Sequence, residues 1–267
     1  MWGRVLKRFI STATVKRQMI NNNIAELILS DPSTKNAIGY DIAQALENNI
    51  QALKKETEVG CVIIRSDSPE YFCSGGNIKE RAKMTQDEVD AFTSRIRSLL
   101  KEIELLPMPT IALLSGGVLG NGFEISLAAD MRVLSKETTM RLPQCRIGSI
   151  PGLGGITRLT KLIGIARAKE LVFCGKKIDS ATALSLGIAN AVEDTYELAR
   201  ERCIKIGKEI LKGSGLAVRE AKQVFLKIND NLEWEGYEAE GYRRMIKNKE
   251  RQEALNRFVE KKAPKML

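Results

Sequence analysis

The stretch Thr110–Asp130, TIALLSGGVLGNGFEISLAAD, constrains the fold of this chain most strongly. Its first five residues, Thr110–Leu114, are apolar enough for a buried strand. Gly116, Gly117, Gly120 and Gly122 come next, and then an apolar segment suited to a helix that opens near Gly120–Asn121. A strand that turns through glycines into a helix is a unit of α/β architecture. Glycine allows positive φ and lets another backbone or a ligand come close. The first N–H groups of a helix have no intrahelical partner. With the positive end of the helix dipole, they suit an oxygen that carries or develops negative charge. Glu124 lies one turn in, an acid beside such a site. A solvated first-turn glutamate in an ordinary strand–turn–helix has the same pattern, so this stretch alone leaves both readings open.

The rest of the chain repeats the alternation. The spacing predicts strands at Ile24–Leu29, Cys61–Arg65 and Met131–Leu134 and a helix over 38–53. A capping-box form, Thr85-Gln-Asp-Glu88, begins a helix that runs towards Leu106, where Pro107 and Pro109 end it. A second glycine loop, Ile150–Gly155, opens another helix. From Ala166 the character is mostly helical, with periodic segments at Tyr196–Leu211, Leu216–Ile228 and Leu232–Lys262. A second capping-box form stands at Asp230–Glu233. No linker or low-complexity segment divides the chain. The expectation is one domain, with an α/β core over 18–195 and a helical oligomerisation region over 196–267.

The first seventeen residues, MWGRVLKRFISTATVKR, differ in composition from the remainder of the chain. They hold Arg4, Lys7, Arg8, Lys16 and Arg17, and no acid precedes Glu26. Trp2, Val5, Leu6, Phe9 and Ile10 share one face at helical spacing. This is the composition of a mitochondrial transit peptide. A basic amphipathic helix lying on a membrane has the same composition. The pattern stops before the first strand-like segment, which favours a transit peptide over 1–17 and a matrix location. The formal net charge is +9; without those five cations the balance is near +4. A modest positive balance suits an anionic, phosphate-bearing ligand and does not by itself argue for nucleic acid. No apolar run reaches the length of a membrane span.

Two composition facts narrow the chemistry. The five cysteines, Cys61, Cys73, Cys145, Cys174 and Cys203, are scattered, and no CxxC pair occurs, which argues against a zinc site or a disulfide framework. The chain contains no histidine. That removes Ser–His–Asp and Cys–His catalysis and histidine metal ligands. Acid–base work falls to carboxylates, Lys, Tyr, Cys or water.

The loop Phe72–Glu80, FCSGGNIKE, comes after a strand just as the central glycine turn does. Two such loops, each with amides beside glycines, could converge on one oxygen, and backbone donors of that kind are a large catalytic term in acyl chemistry. At this point the chain resembles the crotonase (enoyl-CoA hydratase/isomerase) family over nearly its whole length after the leader. The motifs are CSGGNIKERAKM, PTIALLSGGVLGNGFEISLAADMRV, IPGLGGITRLTKLIG and AKELVF. The resemblance implies an α/β fold, the ClpP/crotonase-like spiral of ββα units with a helical trimerisation region, in homotrimers or homohexamers. It implies an acyl-CoA thioester as substrate, with no metal and no further cofactor. The thioester oxygen would be held by the main-chain amides of Gly76 and Asn121. Glu124 matches one of the two family glutamates that flank a water. Contacts to coenzyme A would involve Lys35, Ser74, Asn77, Ile78 and Lys79, with Phe258 and Lys261 from the adjacent subunit's tail. For the lysines, simple surface solvation is the competing reading.

The sequence departs from the family pattern at the second glutamate, whose position is Gln144. An amide can orient water but cannot supply a proton at neutral pH. Asn121 also replaces a family glycine, and Asn77 a family aspartate. The leading expectation is an enoyl-CoA hydratase of fatty-acid oxidation or of branched-chain, leucine-type catabolism. The alternatives are a single-carboxylate isomerase, decarboxylase or thioesterase, and a non-catalytic CoA-binding homologue. One branch of the family binds RNA through lysines one turn apart on an early helix. The matching positions here, Tyr40, Gln44 and Asn48, carry no positive charge, so RNA is not an expected partner.

Overall fold

The protein is seen in a computed structural model, which describes residues 14–21 and 23–230. It opens with a hairpin. Strand β1 (Thr14–Asn21) runs antiparallel to β2 (Ile24–Ser30), and helix α1 (Tyr40–Leu53) comes after it. Three turns of a strand–strand–helix unit come next. The first has β3 (Cys61–Ser66), β4 (Tyr71–Cys73), the short helix α2 (Ile78–Arg81) and α3 (Gln86–Glu104). The second has β5 (Thr110–Leu114), β6 (Gly117–Leu119) and α4 (Asn121–Ala128). The third has β7 (Met131–Ser135), β8 (Thr139–Arg141), a single 3-10 turn at Gln144–Ile147 and α5 (Gly155–Ile163). The described chain closes with α6 (Ile165–Phe173), β9 (Ile178–Asp179), α7 (Ser180–Ser185), β10 (Ala191–Glu193), α8 (Tyr196–Ile210) and α9 (Gly215–Asp230).

Each unit gives its first strand to one sheet and its second strand to another. The large sheet has the order β1-β2-β3-β5-β7-β10, and the small one β4-β6-β8-β9. From β2 to β10 the large sheet is parallel, as is β4-β6-β8. This is the expected spiral of ββα units. A parallel sheet is buried on both faces and so reads as continuous apolar sequence. In β3, Val62 and Ile64 join the main core with α1, α3 and α4, while Cys61 and Ile63 face a second core with Ala199 and Cys203 of α8. Strand alternation decides which core each residue joins.

Helix α8 therefore covers the large sheet. A buried ion cluster fixes it there. Glu26, on β2, is fully buried and accepts from Arg65 at 2.9 Å and from Arg200 of α8 at 2.7 and 3.0 Å. The two arginines hold the Glu26 carboxyl below its usual range although burial pushes it up. Thr14–Arg17 lie in β1 and pair with Ser30–Leu27, so the sheet begins inside the segment expected as a leader over 1–17. All five cysteines are free; three are buried, Cys145 is half-buried and Cys174 is exposed. No helix of the described residues is long and apolar enough to cross a membrane.

Candidate active site

Strands β4, β6 and β8 lie side by side, so the segments that leave their ends emerge together. Those segments carry Gly76, Asn121 and Gln144. A Cβ placed on Gly76 would lie 3.1 Å from Asn121 Nδ2. A Cβ on Gly120 would lie 3.6 Å from Gln144 Nε2 and 3.8 Å from Gly75 Cα. The three candidate segments thus come from the same point in successive turns of the spiral.

The Gly76 amide lies outside the hydrogen bonds of its neighbours. Ile38 and Gly76 form an isolated bridge, in which Ile38 N–H donates to Gly75 O at 2.7 Å and Asn77 N–H to Ile38 O at 3.0 Å. Asn121 is the first residue of α4, where an N–H has no intrahelical acceptor. Gly120 before it has φ 47° and ψ −115°, a conformation open to glycine, which swings the chain from β6 into the helix.

Glu124 is fully buried one turn later. Its Oε1 accepts from the N–H groups of Leu153 (2.8 Å) and Gly155 (3.0 Å), and its Oε2 accepts from Gln144 Nε2 (3.2 Å). Burial pushes the Glu124 carboxyl above its ordinary range. The two backbone donors and the charges of Arg158 and Arg81 oppose that push. A Cβ on Gly155 would lie 2.8 Å from Glu124 Cγ and Oε1, so the close approach of this amide requires glycine. Arg158 braces the same loop, donating to Leu153 O at 2.8 Å and to Glu104 of α3 at 3.2 Å.

Several buried polar atoms around this carboxylate have no hydrogen-bond partner among the described residues. They are Asn121 Nδ2, Gln144 Oε1, Nε and Nη2 of Arg81, and Nε of Arg158. A buried polar group without a partner carries a desolvation cost, so such a cluster marks a place for a bound molecule. The set offers four donors and one acceptor beside a carboxylate. It suits an oxygen-rich ligand together with a water.

Known proteins share this arrangement of sequence and fold. The family model described as enoyl-CoA hydratase/isomerase matches residues 19–266. The chain belongs to the enoyl-CoA hydratase/isomerase family. It is 37% identical over 253 residues to the mouse protein named methylglutaconyl-CoA hydratase, mitochondrial, covering 92% of this chain and 80% of that one. It is 34% identical over 249 residues to a probable enoyl-CoA hydratase 2, mitochondrial, from Arabidopsis thaliana, covering 91% and 81%. Among solved structures, an enoyl-CoA hydratase from Bacillus anthracis superposes with a TM-score of 0.90 at 31% identity, over 94% of this chain and 98% of that one.

The residues expected to contact coenzyme A, apart from the tail, lie in two segments joined by backbone hydrogen bonds. Lys35 is exposed, with φ 55°, and its carbonyl accepts from Ser74 N–H at 3.0 Å. Ser74 Oγ donates to Thr34 O at 2.7 Å. Ile78 and Lys79, at the start of α2, are exposed. Asn77 behaves differently, because its side chain is engaged within the loop. Its Oδ1 caps α2 by accepting from Glu80 N–H at 3.2 Å, and its Nδ2 donates to Glu80 Oε1 at 2.7 Å. Phe258 and Lys261 lie outside the described residues.

Leu153, Gly155, Arg158 and Arg81 are parts of the site that sequence reasoning does not find. The glycine loop at 150–155 is visible in the sequence, but nothing in it shows that its amides point at Glu124. The Asn121 side chain is a further addition, since the sequence points only to its main-chain amide. A cavity of about 560 Å³ lies elsewhere, between Leu127–Arg132 and α9. Glu124 and Gln144 do not line it. No group of three His, Cys, Asp or Glu side chains gathers among the described residues to hold a metal.

Proposed function

We propose that the protein is a mitochondrial hydratase that adds water across the C2–C3 double bond of a 2-enoyl-CoA. The observation that carries this reading is the Glu124–Gln144 pair. Glu124 Oε2 receives the Gln144 amide N–H, and Gln144 Oε1 stays free to accept. A water between them would donate one O–H to Glu124 and the other to Gln144 Oε1, leaving a lone pair for carbon.

The chemistry proceeds from that placement. As the water oxygen bonds to C3, Glu124 takes its proton and the double-bond electrons move onto the thioester oxygen. The amides of Gly76 and Asn121 stabilise that oxygen, since donors fixed in advance favour charge that develops in the transition state. The enolate then collapses and C2 takes the proton from Glu124. One carboxylate serves as base and then as acid, and one molecule of water has been added. With Gln144 in place of a second acid, the rate falls by about 10²–10⁴-fold relative to a two-glutamate site.

The remaining assignments rest on the family pattern. Lys35, Ser74, Asn77, Ile78 and Lys79 contact the coenzyme, and the tail with Phe258 and Lys261 completes the site of a neighbouring subunit in a trimer or hexamer. The matrix is the proposed location, supported by the basic first residues and by mitochondrial relatives. RNA is not a proposed partner. Tyr40, Gln44 and Asn48 lie on α1 without positive charge, and Gln44 bonds Asn48 at 3.1 Å.

The test is loss of the conjugated enoyl-thioester absorbance when the full chain meets crotonyl-CoA or 3-methylglutaconyl-CoA. The expected result is measurable turnover that rises by about 10²-fold or more in Gln144→Glu. Absence of turnover in both proteins would overturn the hydratase reading and leave a different acyl-CoA reaction or a binding role.

A further inference from the structure

The side chain of Asn121 has no task in the reaction described so far. Asn121 is the first residue of α4 and is buried. Its Nδ2 has no hydrogen-bond partner among the described residues. Gln144 Oε1 does not accept from it, since both atoms are unpaired. The Nδ2 atom lies 3.1 Å from the point a Cβ on Gly76 would occupy, so the missing side chain of Gly76 gives it room. It therefore sits beside one residue whose main-chain amide serves the thioester oxygen, and it belongs to the other. Two residues thus carry three N–H-bearing groups at one wall of the site, two on the main chain and one on a side chain. The Arg81 guanidinium closes the same wall, with Cζ 3.2 Å and Nε 3.3 Å from the same point, but it faces the charge of Glu124. The Asn121 amide has no such counterpart. A buried donor without a partner carries a desolvation cost that an acceptor on a ligand would remove.

We infer that the Asn121 side chain is a third donor to the thioester oxygen, added to the main-chain amides of Gly76 and Asn121. The inference rests on the acyl-CoA reading and deepens it at the reacting oxygen. Before reaction that oxygen is a neutral carbonyl. As water bonds to C3, the C2–C3 electron pair moves to C1–C2, and the carbonyl pair moves onto the oxygen, which becomes an enolate. A hydrogen bond to a charged oxygen is about twice as strong as one to a neutral oxygen. The Nδ2 contact therefore gains strength as the reaction proceeds, and only a gain of that kind speeds the chemical step. Removing one side-chain donor from an oxyanion site typically costs about 10²–10³-fold in kcat. In a site with a single carboxylate, the extra donor offsets part of what the missing second acid would supply. Nδ2 moves no proton; proton transfer stays with Glu124.

Two ligands without a double bond to hydrate test this apart from turnover. Acetoacetyl-CoA, a β-keto thioester, gives its C2 proton to solvent and can bind as an enolate, which is followed by its near-ultraviolet absorbance. Butyryl-CoA keeps a neutral carbonyl. Both are titrated into the full chain, into Asn121→Ala and into Asn121→Gly, which keep the main-chain amide at 121, with thermal melts establishing that each variant is folded. The wild type is expected to bind acetoacetyl-CoA as its enolate. Asn121→Ala is expected to bind that enolate about 10–100-fold more weakly, the range for a hydrogen bond to a charged group. Butyryl-CoA should weaken by less, about 10-fold at most. If Asn121→Ala does not fold, Asn121→Gly carries the comparison. Equal losses for the two ligands, no loss for the enolate, or acetoacetyl-CoA bound to the wild type without enolate absorbance would overturn the third donor and leave the acyl-CoA reading standing. Failure of both ligands to bind the wild type would overturn the two together. An enolate preference that depends on Asn121, in a protein that hydrates no enoyl-CoA, would uphold the third donor and refute the hydratase.

Discussion

Glu124 draws its character from where its oxygens point. Burial raises its pKa, so part of its proton affinity comes from the fold itself. As a base it must be ionised. We expect kcat/KM for an enoyl-CoA to fall on the acid side, with a midpoint above the ordinary 4.5 for a glutamate. The same shift has a consequence for stability. A raised pKa means the native state holds the proton more tightly than the unfolded chain does. Stability is therefore lost as pH rises from 4.5 through the folded value, and the loss is complete above it. We expect Glu124→Gln to melt above the parent at neutral pH, with the gain shrinking towards pH 4.5, as thermal melts across pH will show. Glu124 and Gln144 can be singled out from the sequence because acid and amide occupy recognisable motif positions. Arg81 cannot, because an arginine four residues after a glycine loop reads as solvated until packing shows its Nε and Nη2 buried.

Among the elements, apolar pattern decides what can be read. Strands β2, β3, β5 and β7 are buried along nearly their whole length, and their sequences show it. The capping box at Thr85 is present in α3 as its spacing predicts. The small sheet is not legible. Strands β4, β6 and β8 have three residues each, too short for alternation to register, and β6 begins with a glycine. Their pairing comes from the spiral above them rather than from local propensity. Yet this sheet aligns Gly76, Asn121 and Gln144, so the candidate site is recognisable by motif while its geometry is not. The loop that meets Glu124 is equally a product of packing. Gly155→Ala would set a methyl 2.8 Å from Glu124 Cγ. We expect it to lower hydratase kcat by about 10²-fold or more, the scale of misplacing a catalytic group by an ångström. Circular dichroism should show the fold retained.

At the scale of the whole molecule, one buried and one part-buried ion cluster fasten the last described helices to the sheet. Glu26 holds α8 through Arg200. Lys222 of α9 is buried and donates to Met108 O at 3.0 Å and to Asp130 at 2.7 Å. Asp130 also accepts from Thr110 N–H and Oγ, tying β5 and the start of β7 to the same point. Breaking a buried pair by removing one partner costs about 3–5 kcal/mol. The Asp130 side chain is 31% exposed, and its Thr110 bonds survive, so Lys222→Met should cost less, about 1–3 kcal/mol. Chemical denaturation will measure the loss, and hydrogen exchange should show α9 released first. None of this network is visible in the sequence, because Lys222, Asp130 and Thr110 are far apart in the chain and meet only in the closed fold. The spiral itself is visible, through its repeated strand–glycine–helix pattern.

One carboxylate, Glu124, is expected to carry the hydration of an enoyl-CoA in this fold. The most direct measurement is steady-state hydration of 3-methylglutaconyl-CoA by the full chain and by Glu124→Gln, prepared side by side. Turnover in the parent that drops by about 10²–10⁴-fold in Glu124→Gln is the expected result. Equal turnover in the two proteins would mean that a group other than Glu124 activates the water, and would refute its role as the base.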